Sequence, residues 1–278
     1  MNKTKIDWAD MSWNPITGCH HKCAYCYAEK IAKRFGKMMP DLSPYPRMFN
    51  GCHMLEGGPI DGNPYPWLFE PTFHAHRIDE PMMVTDPQDI FTVSMGDMLG
   101  DWVPKAWQEE VLATIRKAYW HRFIILTKNT MGYVKLAQQN MTWPDNAWAG
   151  FSVTTQKSLE EQAFGMTWAP KNCLISIEPI HGPIDLSAVQ VPGRCVTLDM
   201  LKGMRYWFGG GEPGRPALKW VIIGAETGNR IGKVIPDRRW VMSLKRQCHM
   251  AGIPLFMKDS LRDLMGADFE QDKPWKKG

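Results

Sequence analysis

Short apolar runs and helical repeats alternate along most of the chain. Ala28, Ile31, Ala32 and Phe35 recur at the spacing of an amphipathic helix, and Gly36 follows as a stop signal. Apolar runs that end in polar residues predict strands. The predicted strands are 16–18, 90–95, 121–126, 147–153, 174–177, 220–224 and 254–257, and the later predicted helices are 104–119, 131–139, 159–164 and 238–250.

This alternation predicts the fold class. Strands that alternate with helices form parallel βαβ units with right-handed crossovers. Six or seven such units predict an α/β protein with a partial (β/α)6-type parallel barrel. We expect a single domain over residues 1–278, with long irregular insertions at about 39–71 and about 192–216, where Pro and Gly are frequent. In the first insertion the aromatic side chains of Tyr65, Trp67 and Phe69 predict packing against the rest of the protein.

Three cysteines lie within eight residues directly after the first predicted strand. Cys19, Cys23 and Cys26 follow a C-x3-C-x2-C pattern, which predicts three thiolates on one inorganic centre. A four-iron cluster usually takes four cysteine ligands, so three would leave one iron open. His20 or His21 could instead complete a Cys3His zinc site, although zinc sites more often use C-x2-C pairs. The wider gap favours the cluster, and Cys52, Cys173, Cys195 and Cys248 are expected to be bystanders.

Length and charge narrow the function classes. The chain has no apolar run of membrane-spanning length and no apolar segment near residue 1, so we expect a cytoplasmic protein without a membrane partner. The net charge of +4 does not by itself indicate nucleic-acid binding. Two local basic clusters, however, are typical of either phosphate contacts or solvated helix faces: Lys30, Lys33, Arg34 and Lys37, and Arg238, Arg239, Lys245 and Arg246.

Polar residues follow almost every predicted strand. In parallel barrels the working groups lie at the carboxyl ends of strands, which predicts a site on that rim. The alternative is that strand ends are polar because they meet water. The residues concerned are Ser94, Gly96, Asp97, Thr127, Lys128, Ser152, Thr154, Thr155, Ser176, Glu178, Glu226, Thr227, Lys258 and Asp259.

Five sequence blocks resemble a known family. They are Trp13-Asn14-Pro15 with Gly18-Cys19, Cys23-Ala24-Tyr25-Cys26-Tyr27-Ala28, Leu126-Thr127-Lys128, Ser176-Ile177-Glu178-Pro179 and Gly224-Ala225-Glu226-Thr227-Gly228. Together they look like the phage Gp37/Gp68 family, a branch that resembles the radical S-adenosylmethionine (SAM) superfamily. The cysteine loop also resembles that of the spore photoproduct lyases.

The resemblance implies a cofactor and a set of site residues. It implies a 4Fe-4S cluster on Cys19, Cys23 and Cys26, with SAM chelated at the open iron. It implies SAM contacts from Tyr25 and from the strand end where relatives carry a Gly-Gly-Glu-like motif, from which this sequence departs. The expected SAM-binding residues are Tyr25, Ser94, Gly96, Asp97, Ser152, Thr154 and Glu226, and the expected catalytic residues are Lys128, Glu178 and Lys258. Lys128 and Lys258 could bind anionic groups of the substrate, or either could be a simple ion-pair partner.

The function that follows is a radical SAM enzyme of isomerase or lyase type. The favoured substrate is a modified thymidine in phage DNA, the favoured reaction is an isomerisation or rearrangement, and an external electron donor is implied. The host cytoplasm is the expected compartment if a phage encodes the chain. Two alternatives remain open, namely a radical SAM enzyme that acts on a nucleotide, peptide or small metabolite, and a non-enzymatic zinc or iron-sulfur module.

Overall fold

Parallel strands form the core of each of two compact units in the computed structural model, which describes residues 1–38, 52–60, 62–214 and 217–275. The first unit is Met1–Thr127 with Trp143–Ala147, and the second is Lys128–Thr142 with Trp148–Gly278. The mixed α/β class predicted from the sequence is confirmed. Closure into a partial barrel and a single domain over 1–278 stay predictions.

The first unit is built from seven strands and two α-helices among its described residues. Its elements are β1 (Asn2–Lys3), β2 (Met11–Trp13), β3 (Ile16–Thr17), α1 (Tyr27–Phe35), β4 (His53–Leu55), β5 (Thr72–His74), β6 (Asp89–Thr92), α2 (Lys105–Lys117) and β7 (Arg122–Thr127), with 3-10 turns at Ala75–Arg77 and Glu80–Met83. Strands β2, β6 and β7 run parallel, and β1 adds antiparallel to β2. The three parallel strands are in register, with Trp13 opposite Thr92 and Thr92 opposite Ile125.

The predicted first strand lies in a different sheet from the one expected. Residues 16–17 do form a strand, but β3 pairs antiparallel with β5 in a small sheet of order β3-β5-β4. The parallel strand at this position is β2, which the sequence did not predict. Pro15 separates the two because it lacks a backbone N–H and disfavours continuation of a strand.

The second unit contains four parallel strands in the order β8-β9-β14-β15. Every residue of β9, β14 and β15 is buried, which explains why these strands were readable as continuous apolar runs. Its elements are α3 (Met131–Gln138), β8 (Ala147–Val153), α4 (Gln156–Met166), β9 (Cys173–Ile177), β10 (Val189–Gln190), β11 (Val196–Asp199), β12 (Met204–Trp207), β13 (Gly210–Pro213), β14 (Trp220–Ile223), α5 (Arg238–Ala251), β15 (Leu255–Met257) and α6 (Arg262–Met265), with 3-10 turns at Asp259–Leu261 and Gly266–Asp268.

Helix ends follow from local capping chemistry. Helix α4 begins three residues earlier than predicted because Thr155 and Ser158 form a reciprocal capping box, with the Thr155 hydroxyl accepting from the Ser158 N–H at 3.1 Å. Helix α5 ends as predicted before Gly252, which takes a left-handed conformation at φ 66°. In the described part of the chain no helix combines the length and the apolar character that crossing a membrane requires.

The two predicted irregular insertions contain more regular structure than expected. The prediction for 192–216 was wrong, because β11, β12 and β13 pair antiparallel there and β10 extends the sheet. Residues 39–51, 61 and 215–216 of the two insertions lie outside the described residues. In the described part of the first insertion, Trp67 is buried and stacks on His53 of the same insertion, with ring centroids 4.3 Å apart. Packing of this insertion against the rest of the protein stays a prediction.

Candidate functional site

The cysteine loop is anchored by two glycines. The Gly18 N–H donates to the Met95 carbonyl at 2.9 Å, and Gly18 pairs with Gly96 in a parallel bridge. Gly18 has φ +85°, and a Cβ there would lie 2.2 Å from the Glu70 carbonyl oxygen. A Cβ on Gly96 would lie 2.8 Å from the Gly18 oxygen. Side chains are therefore excluded at both positions, and the start of the loop is fixed.

Backbone N–H groups point at two of the three sulfurs. The Cys26 thiol caps helix α1 and accepts from the Glu29 N–H at 3.3 Å, and the Cys19 sulfur accepts from the His21 N–H at 3.5 Å. The Cys26 N–H donates to the Cys23 carbonyl at 3.0 Å, which closes the turn between these cysteines. N–H donors and a helix N-terminus favour a thiolate over a thiol. The loop is thus suited to hold thiolate ligands.

The charge balance of the loop favours a bound cation. Burial is the main cause that raises the pKa of Cys19 to about 12; the hydrogen bond from His21 opposes it, and the negative charges of Asp97, Cys23 and Cys26 add to it. The charges of Cys23 and Cys26 therefore act on the Cys19 thiol. A metal centre reverses this effect, because a coordinating thiol is deprotonated outright. Three thiols in this arrangement fit a cationic metal centre.

The described residues contain no group of three His, Cys, Asp or Glu side chains arranged to hold one metal ion. A Cys3His zinc ion would need such a group. A four-iron cluster spreads its cysteine ligands over separate irons, so its thiolates do not have to meet at one point.

Both histidines of the loop bind carboxylates. His21 Nε2 lies 2.8 Å from Asp97 Oδ2, and His20 Nε2 lies 3.2 Å from Glu70 Oε2. The Trp102 ring packs 5.0 Å from each imidazole. In this arrangement a carboxylate holds Nε2 of each imidazole, so a zinc ion could be bound only through Nδ1.

Asp97 ties the cysteine loop to the end of strand β7. Its side chain is 5% exposed and accepts from the Thr127 hydroxyl and the Leu99 N–H, both at 3.0 Å, besides its contact with His21. These contacts give Asp97 a structural role. Its predicted contact with SAM stays a prediction.

The turn after strand β6 is held by side chains from the β2 end and from α1. Asn14 Oδ1 accepts from the Met95 N–H at 2.9 Å and from the Ser94 hydroxyl at 3.1 Å, and the Tyr27 hydroxyl donates to the Ser94 carbonyl at 2.6 Å. Val93 has φ +59°, a conformation that is strained for a β-branched residue. Strain of this kind concentrates at functional sites. The predicted residues Ser94 and Gly96 therefore lie in a rigid turn beside the cysteine loop.

The strand ends of the second unit are in register. Val153, Ile177, Ile223 and Met257 form one row across the four parallel strands. The next row contains Glu178, Gly224 and Lys258. The predicted site residues of this unit therefore share one sheet edge.

Two predicted catalytic residues meet at that edge. Lys258 Nζ and Glu178 Oε1 form an ion pair across the central strand β14. Gly224 lies beneath the pair, and a Cβ there would be 3.1 Å from Lys258 Cδ and 3.2 Å from Glu178 Cδ. The absence of a side chain at 224 explains how residues on the two flanking strands reach each other. Their catalytic role stays a prediction.

Glu226 is engaged by a partner that the sequence did not identify. Arg230 donates through Nε to Oε1 at 2.5 Å and through Nη2 to Oε2 at 2.8 Å, and the Glu226 side chain is only 4% exposed. The hydrogen bonds from Arg230 hold the pKa of this carboxyl below its usual range. His181 Nε2 lies 3.5 Å from the same carboxylate. Glu226 orders its own loop, and its predicted contact with SAM stays a prediction.

Ser152, Thr154 and Lys128 lie at or directly after strand ends, and Tyr25 lies in the cysteine loop. The Ser152 carbonyl accepts from Gln162 Nε2 at 2.9 Å, and the Thr154 N–H donates to the Ser158 hydroxyl at 3.0 Å. Lys128 follows β7 directly, and Tyr25 lies half-buried in the turn between Cys23 and Cys26. Their roles toward SAM or substrate stay predictions.

One family model covers most of the sequence. A family model described as "Protein of unknown function (DUF5131)" matches residues 3–264. The chain belongs to the DUF5131 family. No curated protein matches it in sequence. The resemblance to the phage Gp37/Gp68 family stays a prediction.

One solved structure is similar to the DUF5131 chain at low identity. It is titled "Spore photoproduct lyase complexed with dinucleoside spore photoproduct", with 9% identity, a TM-score of 0.49, and coverage of 92% of this chain and 78% of that chain. The functional argument for the DUF5131 chain therefore rests on its own residues.

The two basic clusters of the DUF5131 chain differ in structure. On α5, Arg239 pairs with Asp237, Arg238 with Asp268, and Lys245 with both Asp268 and Glu270. Near α1, Lys30, Arg34 and Lys37 are exposed, and Lys33 pairs with Glu29 at 2.6 Å. The α5 cluster is largely neutralised within the protein, whereas the α1 cluster presents positive charge to solvent.

Proposed function

We propose that the DUF5131 chain is a radical SAM enzyme that holds a 4Fe-4S cluster with Cys19, Cys23 and Cys26. The observation that carries the proposal is the cysteine loop, in which three cysteines follow a C-x3-C-x2-C pattern on a loop fixed by Gly18 and Gly96, with backbone N–H groups directed at the sulfurs of Cys19 and Cys26. Three protein ligands leave one of four irons open. The Nε2 atoms of His20 and His21 bind carboxylates, which leaves only Nδ1 of each ring as a possible ligand at that position.

When bound, the reduced cluster supplies the electron that cleaves SAM to methionine and a 5′-deoxyadenosyl radical able to take a hydrogen atom from carbon. The residues of the chain bind the cluster and orient SAM and the substrate. The N–H groups of His21 and Glu29 stabilise the Cys19 and Cys26 thiolates, and Asp97 fixes His21 and with it the shape of the loop. An external donor provides the electron.

In the first unit we propose that Tyr25, Ser94, Gly96 and Asp97 contact SAM. The Gly18–Gly96 bridge sets Gly96 directly beside the cysteine loop, and the hydrogen bond from Tyr27 holds the neighbouring Ser94 carbonyl. For the second unit we keep Ser152, Thr154 and Glu226 as proposed SAM contacts. Lys128, Glu178 and Lys258 are the proposed catalytic residues there, and the Lys258 ammonium would hold an anionic group of the substrate.

The proposed substrate is a modified thymidine in DNA, and the proposed reaction is an isomerisation or rearrangement. The exposed basic residues near α1 support a polyanionic substrate, because lysine and arginine side chains neutralise phosphates. Tyr27 and Phe35 are exposed on the same helix. A base in a duplex must leave the stack before a buried site can act on it.

Nucleoside analysis of DNA tests this function. DNA from cells, or from phage grown in cells, that express the active chain is digested to nucleosides and separated by liquid chromatography with mass detection. Cys26→Ala is the matched control. We expect one nucleoside to change its retention time without a change in mass, as an isomerisation requires. Identical profiles from the two samples would contradict a DNA substrate and favour a nucleotide, peptide or small metabolite.

A further inference from the structure

A narrow hairpin projects aromatic side chains from the antiparallel sheet of the second unit. Strands β12 and β13 pair with Tyr206 opposite Gly211 and Trp207 opposite Gly210, so Phe208 and Gly209 form the turn. Gly209 has φ +99°, which a two-residue turn of this kind requires at its second position. One arm of the tip carries three aromatic residues, and the other carries only glycines.

The aromatic residues of the tip are exposed. Phe208 is 99% exposed, Trp207 42% and Tyr206 39%. Neighbouring residues of β12 and β13 are exposed on both faces of the hairpin, so the tip has solvent on either side. Tyr206 and Trp207 point to opposite faces because they are successive residues of β12, so exposed aromatic surface is present on both faces of the tip.

Side-chain contacts join the two strands of the hairpin. Arg205 pairs with Glu212 directly across the two strands, in agreement with the register. The Tyr206 ring lies against Gly211, where a Cβ would come within 2.5 Å of the ring. The glycine arm therefore keeps the tip thin while it supports the aromatic arm.

Charge indicates the kind of partner. Residues 189–219, which form this sheet and its connections, contain five basic and two acidic residues, so they account for +3 of the net charge of +4 of the chain. The basic residues are Arg194, Lys202, Arg205, Arg215 and Lys219, and the acidic residues are Asp199 and Glu212; Arg215 lies outside the described residues. Lys202 pairs with Asp199 and Arg205 with Glu212, so Arg194 and Lys219 supply the positive excess of the described part of the sheet. Exposed aromatic side chains in a basic segment are typical of proteins that stack on nucleic-acid bases.

We infer that the β12–β13 hairpin contacts DNA and that Phe208 and Trp207 stack on or between its bases. The inference rests on the proposed DNA substrate and names the element that handles the DNA. An aromatic wedge that enters a base step partly unstacks it, and this lowers the cost of extruding the neighbouring nucleotide. The thin glycine arm lets the tip approach the stack closely.

The test uses a fluorescein-labelled duplex that contains one 2-aminopurine, a base whose fluorescence rises when it is unstacked. Anisotropy reports affinity at several salt concentrations, and 2-aminopurine emission reports unstacking. The variants are Phe208→Ala and Trp207→Ala. The matched control is Tyr119→Ala, which removes a 76% exposed aromatic side chain from the first unit. Thermal unfolding verifies that each variant is folded.

We expect Phe208→Ala to weaken binding about tenfold at every salt concentration, because one lost stacking contact has an effect of that order. The slope of log affinity against log salt should stay unchanged, since Phe208 neutralises no phosphate. The rise in 2-aminopurine emission seen with the unmodified protein should be lost. Tyr119→Ala should behave like the unmodified protein in all three respects.

Two failures are distinguishable. If the unmodified protein binds DNA with a salt-dependent affinity and Phe208→Ala and Trp207→Ala match Tyr119→Ala in affinity and emission, the hairpin inference is wrong and the DNA substrate stands. If the unmodified protein shows no salt-dependent binding to DNA, the DNA substrate fails, and the hairpin inference fails with it.

A Lys30→Glu/Arg34→Glu double variant with a shallower salt slope would place phosphate contacts on the α1 surface.

Discussion

Anaerobically reconstituted protein that carries Cys23→Ala is expected to contain no iron, whereas the unmodified chain should contain about four irons, as one 4Fe-4S cluster requires. Cys19→Ala and Cys26→Ala should behave in the same way, because two thiolates do not hold such a cluster against loss to solvent. Iron and sulfide are measured per chain after removal of unbound metal. The effect is expected to be complete.

The chain supplies its own controls for this experiment. Cys195 is exposed and Cys248 is buried, and neither lies in the loop, so Cys195→Ala and Cys248→Ala should retain iron. Loss of iron in either control would indicate a fourth protein thiolate and contradict the open iron. Retention of iron in Cys23→Ala would show that the cysteine loop does not hold the cluster.

Gly18→Ala is expected to unfold the cysteine loop and prevent cluster assembly. The left-handed backbone alone costs a non-glycine residue about 1–2 kcal/mol. The new Cβ would also lie 2.2 Å from the Glu70 carbonyl oxygen and 2.6 Å from the Pro71 nitrogen, and both of these atoms belong to backbone. We therefore expect a lower unfolding temperature and loss of most of the iron.

Gly58→Ala is the matched control for Gly18→Ala. A Cβ on Gly58 meets no atom within 4 Å, and its φ is not positive. This variant should keep both the iron and the unfolding temperature of the unmodified chain. If Gly18→Ala behaves in the same way, the bridge between Gly18 and Gly96 does not determine the shape of the loop.

The helices and buried strands were predictable because their apolar residues recur at a regular spacing or in a continuous run. Strand β9 is apolar at nearly every position because it is buried on both faces. The repeat of Ala28, Ile31, Ala32 and Phe35 predicted α1, in which Ala28 and Ala32 are buried and Phe35 is exposed. Strands β12 and β13 show no such pattern of apolar residues. Their residues are exposed on both faces and rich in glycine, so no alternation distinguishes them from a loop.

Strand β2 was missed for a different reason. It has only three residues, and it is a strand because β6 pairs with it. A pairing partner 79 positions further along the chain cannot be read from a local window. The same limit explains why residues 16–17 were assigned to the wrong sheet.

The candidate site was predictable in position and not in contacts. The rule that polar groups gather at the carboxyl ends of parallel strands placed Glu178 and Lys258 on one rim, and they form an ion pair although 80 positions separate them. The contact between His21 and Asp97 spans 76 positions, and no pattern in the sequence indicated it. The link between Glu226 and Arg230 had one available signal, a separation of four residues between opposite charges, but the two lie in a loop instead of a helix.

Reductive cleavage of SAM tests the central claim most directly. The anaerobically reconstituted chain is mixed with SAM and dithionite, and the products are separated by liquid chromatography, with Cys26→Ala treated in parallel. The account predicts 5′-deoxyadenosine and methionine in equal amounts from the unmodified chain and neither product from the variant. S-adenosylhomocysteine alone would indicate ordinary methyl transfer, and stoichiometric zinc with no iron and no cleavage would indicate a metal-binding module; either result would contradict the account.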